Sequence, residues 1–334
     1  MEESISKPEG ELIGGQIKLG KTDILISPMG VGTWAWGDRM FWSFGRDYGD
    51  AEVKDAFEVS LEAGLNFFDS AEVYGNGKSE SLLGQFVAEK QAGKEGSQGS
   101  QPKAVIATKF MPLPWRLFQG DLVRALQRSL KRLGMGSVDL YQVHWPYPPA
   151  PVETWARGLA DAVKAGLTRA VGVSNYNAAQ MRRSWNVLAE YGIPLASNQV
   201  EYHLLNRSIE RNGVLDLCRE LGVTLIAYSP LAMGMLTGKY TRENPPPGIR
   251  GRQYGRSKLV RMQPLIQLMR EIGHAHHSKT PAQVALNWLM CKGTVPIPGA
   301  KNAHQAQDNA GALGWSLSTD EMAALDKASD DYSH

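Results

Sequence analysis

Apolar residues in this chain gather in short runs. Between the runs they recur at helical spacing, and the two patterns alternate from end to end. Gln16-Ile17-Lys18-Leu19 and Asp23-Ile24-Leu25-Ile26 flank Gly20-Lys21-Thr22, a β-hairpin signal. Eight short runs then read as buried strands: Met29–Gly32, Asn66–Asp69, Ala104–Thr108, Val138–Val143, Ala170–Val173, Ser197–Val200, Val223–Ala227 and Thr294–Ile297. The segments between them read as helices. Asp50 caps a helix through Val53, Phe57 and Leu61 that Gly64 stops. Leu82, Leu83, Phe86 and Val87 mark the next, and Leu122, Leu126, Leu130 and Leu133 line one face of another. Helical patterns follow around Trp155 and Leu159, from Ala178 to Tyr191, and from Ser208 through Leu221. A basic, glycine-rich insertion runs from Leu231 to Met262, and a helix is expected to begin at Pro264. Thr280-Pro281-Ala282-Gln283 and Ser318-Thr319-Asp320-Glu321 are capping boxes. Eight strand–helix units predict a closed (β/α)₈ TIM barrel, with an N-terminal hairpin and a long insertion after the seventh strand.

In a barrel of this kind the strand C-termini converge on one mouth. Asp69, Lys109 and His144 stand at or just past three successive strand ends, and Tyr74 follows Asp69 in a glycine-flanked loop. A phenol is a poor acid at neutral pH. A lysine ammonium beside it stabilises the phenolate and should lower its pKa, and a carboxylate keeps the lysine charged. A histidine orients a carbonyl or shares the proton. The set is a general acid aimed at a substrate oxygen, with no serine or cysteine nucleophile and no metal quartet. Protonating a carbonyl is useful when a hydride arrives from elsewhere, and this implies a nicotinamide cofactor.

Composition narrows the picture. The chain has 334 residues, 43% hydrophobic and 21% charged, with a net charge of +2. That balance gives no general pull toward nucleic acid or an anionic membrane. One domain over residues 15–334 is expected, after a frayed segment 1–14, and Gln91–Lys103 reads as a solvated loop. No secretory signal and no bilayer-spanning run is visible, and Cys218 and Cys291 read as reduced buried thiols. A cytoplasmic location is expected, or an organelle stroma if a transit segment has been removed.

Other motifs in the chain lack the context their chemistry needs. Gly30-Val31-Gly32-Thr33-Trp34-Ala35 matches a dinucleotide fingerprint, but Trp36-Gly37 and Gly45 break the helix it needs. Tyr74 and Lys78 match the Tyr-x-x-x-Lys pair of short-chain dehydrogenases, but two glycines between them oppose a shared helical face. His274, His276 and His277 read as a solvated helix end rather than a metal site. Trp34, Trp36, Phe41, Trp42, Phe44 and Tyr48 form an aromatic loop that covers a pocket or fills the core. The basic run Arg250, Arg252, Arg256, Lys258 and Arg261 is a mobile surface loop or a flap over cofactor phosphates.

Asp69-Ser70-Ala71-Glu72-Val73-Tyr74-Gly75, Thr108-Lys109, Gln142-Val143-His144-Trp145, Gly172-Val173-Ser174-Asn175, Asn198-Gln199-Val200-Glu201-Tyr202 and Tyr228-Ser229-Pro230-Leu231 occur in that order on strand ends. In this the chain closely resembles the aldo-keto reductase superfamily, from the hairpin to the last helix. The resemblance is closest to the branch that includes the potassium-channel β subunits. It implies an NADPH-dependent interconversion of carbonyls and alcohols with Tyr74 as acid/base and Asp69, Lys109 and His144 in support. It also implies cofactor contacts. Ser174, Asn175 and Gln199 resemble the carboxamide-binding positions, and Tyr228 looks like the ring on which nicotinamide stacks. Ser229, Pro230, Leu231, Gly234, Leu236, Lys239 and Arg250 resemble the pyrophosphate-spanning loop. Pro298, Gly299, Ala300, Lys301, Gln305, Asp308 and Asn309 resemble the adenosine site, with Lys301 set to meet a 2′-phosphate. Gln305 stands where another branch has arginine. Gly32, Thr33 and Trp34 complete the expected contacts. Trp34, Trp115 and Trp145 are the expected substrate pocket. NADH is the less favoured cofactor. The partner expected is a small carbonyl substrate, with no nucleic acid, membrane or metal. A nucleotide-bound regulatory subunit with little turnover is the alternative.

Overall fold

The N-terminal hairpin, β1 (Ile17–Lys18) and β2 (Leu25–Ile26), pairs Ile17 with Ile26 in the computed structural model, which describes residues 15–92, 103–247 and 255–332. Leu19, Ile24 and Ile26 are buried in one cluster with Phe67, Val105, Leu140, Ala196, Ile226 and Val295. The hairpin thus plugs the end of the barrel where the strands begin. The Gly20 amide fixes it there by donating to Thr224 Oγ1 at 2.7 Å.

Eight parallel strands follow: β3 (Val31–Gly32), β4 (Phe67–Asp69), β5 (Val105–Phe110), β6 (Val138–Val143), β7 (Thr168–Ser174), β8 (Leu195–Glu201), β9 (Thr224–Tyr228) and β10 (Val295–Pro296). Each pairs with the next in sequence. The ring closes between first and last strand. Gly30 donates to the Pro296 carbonyl at 2.9 Å and Gly32 to the Pro298 carbonyl at 3.0 Å. Prolines cannot donate, so at Pro296 and Pro298 the bonds run from the glycine amides to the proline carbonyls, and Gly32 bridges Gly299 in parallel register.

Helices α1 (Asp50–Glu62), α2 (Lys78–Ala92), α3 (Gln119–Leu133), α4 (Val152–Lys164), α5 (Ala178–Glu190) and α6 (Val214–Leu221) cover the strands. The four leucines of α3 named above are all buried. Beyond β9 come α7 (Arg256–Ala275), α8 (Pro281–Cys291), α9 (Ala303–Ala310) and α10 (Thr319–Ser329). The expected capping boxes at Thr280 and Ser318 are present.

Several boundaries differ from expectation. The helix expected at Pro264 begins at Arg256, with Pro264 inside it. Leu259, Met262, Leu265, Ile266 and Met269 continue one buried stripe across the proline. That burial outweighs the roughly 3 kcal/mol a helix-interior proline costs. The insertion therefore ends at Gly255, and Arg256, Lys258 and Arg261 lie on α7. Ser208 opens a 3₁₀ turn, and α6 starts only after Gly213, whose φ is +80°. The cap of α1 is Gly49, with Asp50 in the first turn paired to Lys78 at 2.9 Å. Residues 1–14 lie outside the described residues, as do 93–102 of the expected solvated loop, while Gln91 and Ala92 end α2.

Candidate active site

Four candidate residues meet at the strand C-termini. Asp69 is the last residue of β4, Lys109 the next to last of β5, and His144 directly follows β6. Tyr74 opens a 3₁₀ turn in which Gly75 and Asn76 take left-handed φ values of 55° and 54°. That turn parts Tyr74 from Lys78, which is exposed and pairs with Asp50. Lys109 Nζ donates instead to the Tyr74 hydroxyl at 3.2 Å, to the Ser70 carbonyl at 2.9 Å and to the Asp69 carboxylate. Its three protons have three acceptors, and the side chain is wholly buried. The His144 ring stands edge-on to the Tyr74 ring, centroids 5.6 Å apart. Its main chain is fixed by Phe110 and Asn175, and its Nδ1 is buried with no hydrogen-bond partner in the protein.

Burial dominates the electrostatics. It lifts the Tyr74 pKa above the usual phenol value; Lys109 pulls it down, but not enough, and Asp69 pushes it further up. The expected lowering is therefore not found, because desolvation of the phenolate outweighs the neighbouring charge. Burial opposes the Lys109 charge, yet Asp69 and Tyr74 overcome it and raise its pKa. Burial, then the Lys109 charge, hold His144 well below the ordinary histidine range, so its ring is neutral. At neutral pH the cluster is a protonated phenol, an ammonium and a neutral imidazole.

A second set lies at the ends of β7, β8 and β9. Ser174 Oγ donates to the Gln199 carbonyl at 2.8 Å, and Tyr228 Oη to Asn175 Oδ1 at 3.0 Å. Asn175 Nδ2 reaches Ser174 Oγ at 3.1 Å and the His144 carbonyl at 3.0 Å, which joins this set to the first. The Gln199 amide donates to Asp69 Oδ1 at 2.9 Å. Past β9, Ser229, Ala232, Met233 and Gly234 all have positive φ, between 49° and 93°. Three of these are not glycine, and such backbone costs about 1–2 kcal/mol per residue. Pro230 is buried, and Leu236 packs into the core with its amide on the Leu231 carbonyl at 3.2 Å. The exposed Lys239 ammonium lies 4.9 Å from the Tyr240 ring. Arg250 and Arg252 fall outside the described residues.

Beyond β10, Gly299 is exposed while Pro298 and Ala300 are buried, and the Ala300 carbonyl accepts from the Trp36 indole at 2.8 Å. Lys301 Nζ lies 4.6 Å from the Trp42 ring and 4.7 Å from the Tyr48 ring. Gln305 accepts the Lys301 amide at 3.0 Å. Two expected contacts are turned inward. The Asp308 carboxylate accepts from Thr280 and Gln283 on the α8 side, and Asn309 donates to the Gly299 carbonyl at 3.3 Å. Both tie α9 down. Thr33 is likewise wholly buried, its hydroxyl shared with Asp69 and Ser79.

The aromatic loop divides. Trp36, Phe44 and Tyr48 are core. Trp34, Phe41 and Trp42 form an open cluster, with Trp34 stacked on Phe41 at 5.1 Å and 6.3 Å from the Tyr74 ring. Trp145 stacks on Tyr147 at 5.3 Å. Trp115 is 72% exposed. Its neighbour Arg116 pairs with Glu72 and docks the Trp115 loop on the Tyr74 loop. Sequence reasoning gave no role to Glu72, Arg116 or Gln142, whose amide donates to Asp69 Oδ1 at 3.0 Å. Gln142 was detectable as a polar residue in the buried stretch Leu140-Tyr141-Gln142-Val143. Of the histidine cluster, His276 bonds Glu321 at 2.9 Å and faces Trp315. No helix among the described residues is long and apolar enough to cross a membrane.

Eight parallel strands closed by a glycine seam, with ionisable groups gathered at their C-terminal ends, define a barrel enzyme architecture. Residues 28–330 match the aldo/keto reductase family model, and the chain belongs to that family. It is 43% identical over 320 residues to a chloroplastic pyridoxal reductase of Arabidopsis thaliana, across 94% of this chain and 85% of that one. It is 29% identical to an L-glyceraldehyde 3-phosphate reductase of Escherichia coli K12, across 92% and 90%. Among solved structures, a thermostable aldo-keto reductase in complex with the inhibitor epalrestat superposes with a TM-score of 0.73 at 30% identity, covering 94% of this chain and 99% of that one. A glycerol dehydrogenase of Gluconobacter oxydans gives 0.81 at 26%, covering 95% and 96%. The family is one of oxidoreductases that generally use nicotinamide cofactors.

Proposed function

We propose that this chain is an NADPH-dependent reductase of aldehydes and ketones, with Tyr74 as the proton donor. The observation that carries the reading is the Tyr74 hydroxyl on the Lys109 ammonium at 3.2 Å, with Lys109 backed by Asp69. A bound nicotinamide cofactor supplies the hydride that reduces the carbonyl carbon. Tyr74 gives its proton to the carbonyl oxygen. Lys109 stabilises the phenolate left behind, and solvent returns the proton. The neutral His144 ring directs a hydrogen bond at the same oxygen without repelling Lys109.

The remaining residues fit a dinucleotide. The Tyr228 ring is a flat, part-exposed platform at the strand ends. The left-handed residues Ser229, Ala232 and Met233 are strained backbone of the kind that persists where a ligand is bound. Lys301, Asn302 and the start of α9 offer a cation and helix N-terminal amides to a 2′-phosphate, which favours NADPH over NADH. The open aromatic cluster of Trp34, Phe41 and Trp42 suits a planar substrate. Together with the 43% identity to a pyridoxal reductase, this makes pyridoxal the first aldehyde to try. The chloroplast named for that relative makes organelle stroma a compartment to test beside cytoplasm.

The test is NADPH oxidation against a panel of carbonyls, with Tyr74→Phe in parallel. Turnover that depends on the carbonyl and is lost in Tyr74→Phe, with NADPH affinity kept, is the expected result. Full turnover in the variant would end the assignment. Tight NADPH binding with no turnover on any carbonyl would favour a regulatory subunit.

A further inference from the structure

Asp69 is almost wholly buried and accepts from three side chains. One oxygen is on Lys109; the other takes Gln142 Nε2 at 3.0 Å and Gln199 Nε2 at 2.9 Å. A carboxylate accepts only, so both amides must present N–H to it. The strand register shows what places Gln142. Lys109 pairs with Gln142, Gln142 with Gly172, and Gly172 with Ser197, a single row across β5 to β8. The third position of that row has no side chain. A Cβ on Gly172 would lie 2.2 Å from Ser197 Oγ and 3.1 Å from Gln142 Cγ. The gap lets the two side chains meet, with Ser197 Oγ 3.4 Å from Gln142 Oε1. The Gln142 amide is thus held at its oxygen and directed at its nitrogen.

We propose that Gln142 is a positioning residue, which fixes the Asp69 carboxylate so that its other oxygen stays on Lys109 and the ammonium stays on the Tyr74 hydroxyl. The proposal rests on the reading of Tyr74 as proton donor. Gln199 donates to the same oxygen, but under that reading it also serves the cofactor carboxamide. Gln142 is wholly buried in the strand row and serves Asp69 alone among charged groups. Without it, Asp69 keeps one amide donor on that oxygen and turns more freely away from the ammonium. The charge on Lys109 is then less well supported. Tyr74 and His144 are the other titratable groups facing Lys109.

The experiment compares the parent, Tyr74→Phe, Gln142→Leu and Gln142→Glu on a carbonyl the parent reduces. Gln142→Leu keeps the volume and removes the donor. Its kcat should fall about ten- to a hundredfold, the worth of a hydrogen bond to a charge. NADPH affinity and KM should stay within about twofold. The alkaline limb of kcat against pH should move to lower pH, because Lys109 loses its proton more easily. Gln142→Glu donates only when protonated, so its activity should recover as pH falls, a response that a merely structural residue would not give. A Gln142→Leu enzyme with parental kcat and an unmoved alkaline limb would overturn the proposal. So would a Gln142→Glu profile parallel to the parent's. If the parent reduces no carbonyl, the functional reading itself fails. If the parent works, Tyr74→Phe is dead and Gln142→Leu matches the parent, only the role of Gln142 fails.

Discussion

The Lys301 ammonium lies over the Trp42 indole, 4.6 Å from its centroid, and donates to the carbonyl of the same residue at 3.3 Å. Cation–π contacts of this kind are worth about 0.5–2 kcal/mol. Under the proposed function, a 2′-phosphate draws the ammonium from the ring and gains a charge-assisted hydrogen bond in exchange. Lys301→Ala should therefore weaken NADPH more than NADH, by about 1–3 kcal/mol less whatever the ring contact returns. Titrating both cofactors into parent and variant measures the difference. Equal losses for the two would refute the phosphate role.

Trp34 and Trp115 were both expected at the substrate pocket, and their surroundings separate them. Trp34 stacks on Phe41 and stands 6.3 Å from the ring of Tyr74. Trp115 is 72% exposed on a loop fixed through its neighbour Arg116. Under the proposed function, an aromatic aldehyde held at Tyr74 would meet the Trp34 face, where stacking adds about 0.5–1.5 kcal/mol. Trp34→Ala should raise KM for such a substrate about three- to tenfold, and Trp115→Ala by less than about twofold. Steady-state kinetics on a flat and an aliphatic aldehyde test this. The Trp34 effect should shrink on the aliphatic one.

The barrel was legible because its signals are local. Each strand is a short apolar run ending in a polar residue, and the capping boxes at Thr280 and Ser318 are read from four residues each. Tyr74, Lys109, Asp69 and His144 were legible because strand ends converge by topology alone. What failed depended on distant partners. Pro264 reads as a helix start until the buried stripe through Leu259 and Met262 is seen to cross it. The bonds that the Asp308 carboxylate takes from Thr280 and Gln283 are likewise invisible to any local pattern. The phenol pKa was expected to fall because charge partners can be named from sequence, whereas desolvation, the larger effect, is a property of the packed site.

His144 also predicts how stability depends on pH. Its folded-state pKa is depressed by burial and by Lys109, so it binds a proton in the unfolded chain before it does in the folded one. Stability is then unaffected above the ordinary histidine pKa of about 6.5 and falls as pH drops below it. The slope from this one group approaches about 1.4 kcal/mol per pH unit. Urea unfolding between about pH 7 and pH 5 should show His144→Gln losing less stability per pH unit than the parent. Identical slopes would mean that His144 takes its proton as easily inside as outside.

Gly84 offers a test of packing whose sign runs against helix propensity. It is buried in the interior of α2, where replacing glycine by alanine normally gains about 1 kcal/mol. Here a Cβ would lie 2.1 Å from the Leu133 carbonyl oxygen and 2.6 Å from the carbonyl carbon, at the end of α3. The obstacle is backbone, so no rotamer change relieves it. The two helices must separate, and the leucine face of α3 that includes the buried Leu130 and Leu133 moves with them. Overpacking of this kind costs about 1–3 kcal/mol, which exceeds the propensity gain. Gly84→Ala should therefore lower the unfolding midpoint, whereas Gly136→Ala, at an exposed glycine with nothing within 4 Å of an added Cβ, serves as the control for substitution itself. A Gly84→Ala protein as stable as its parent would show that α2 and α3 lie farther apart than the backbone contact at Leu133 requires.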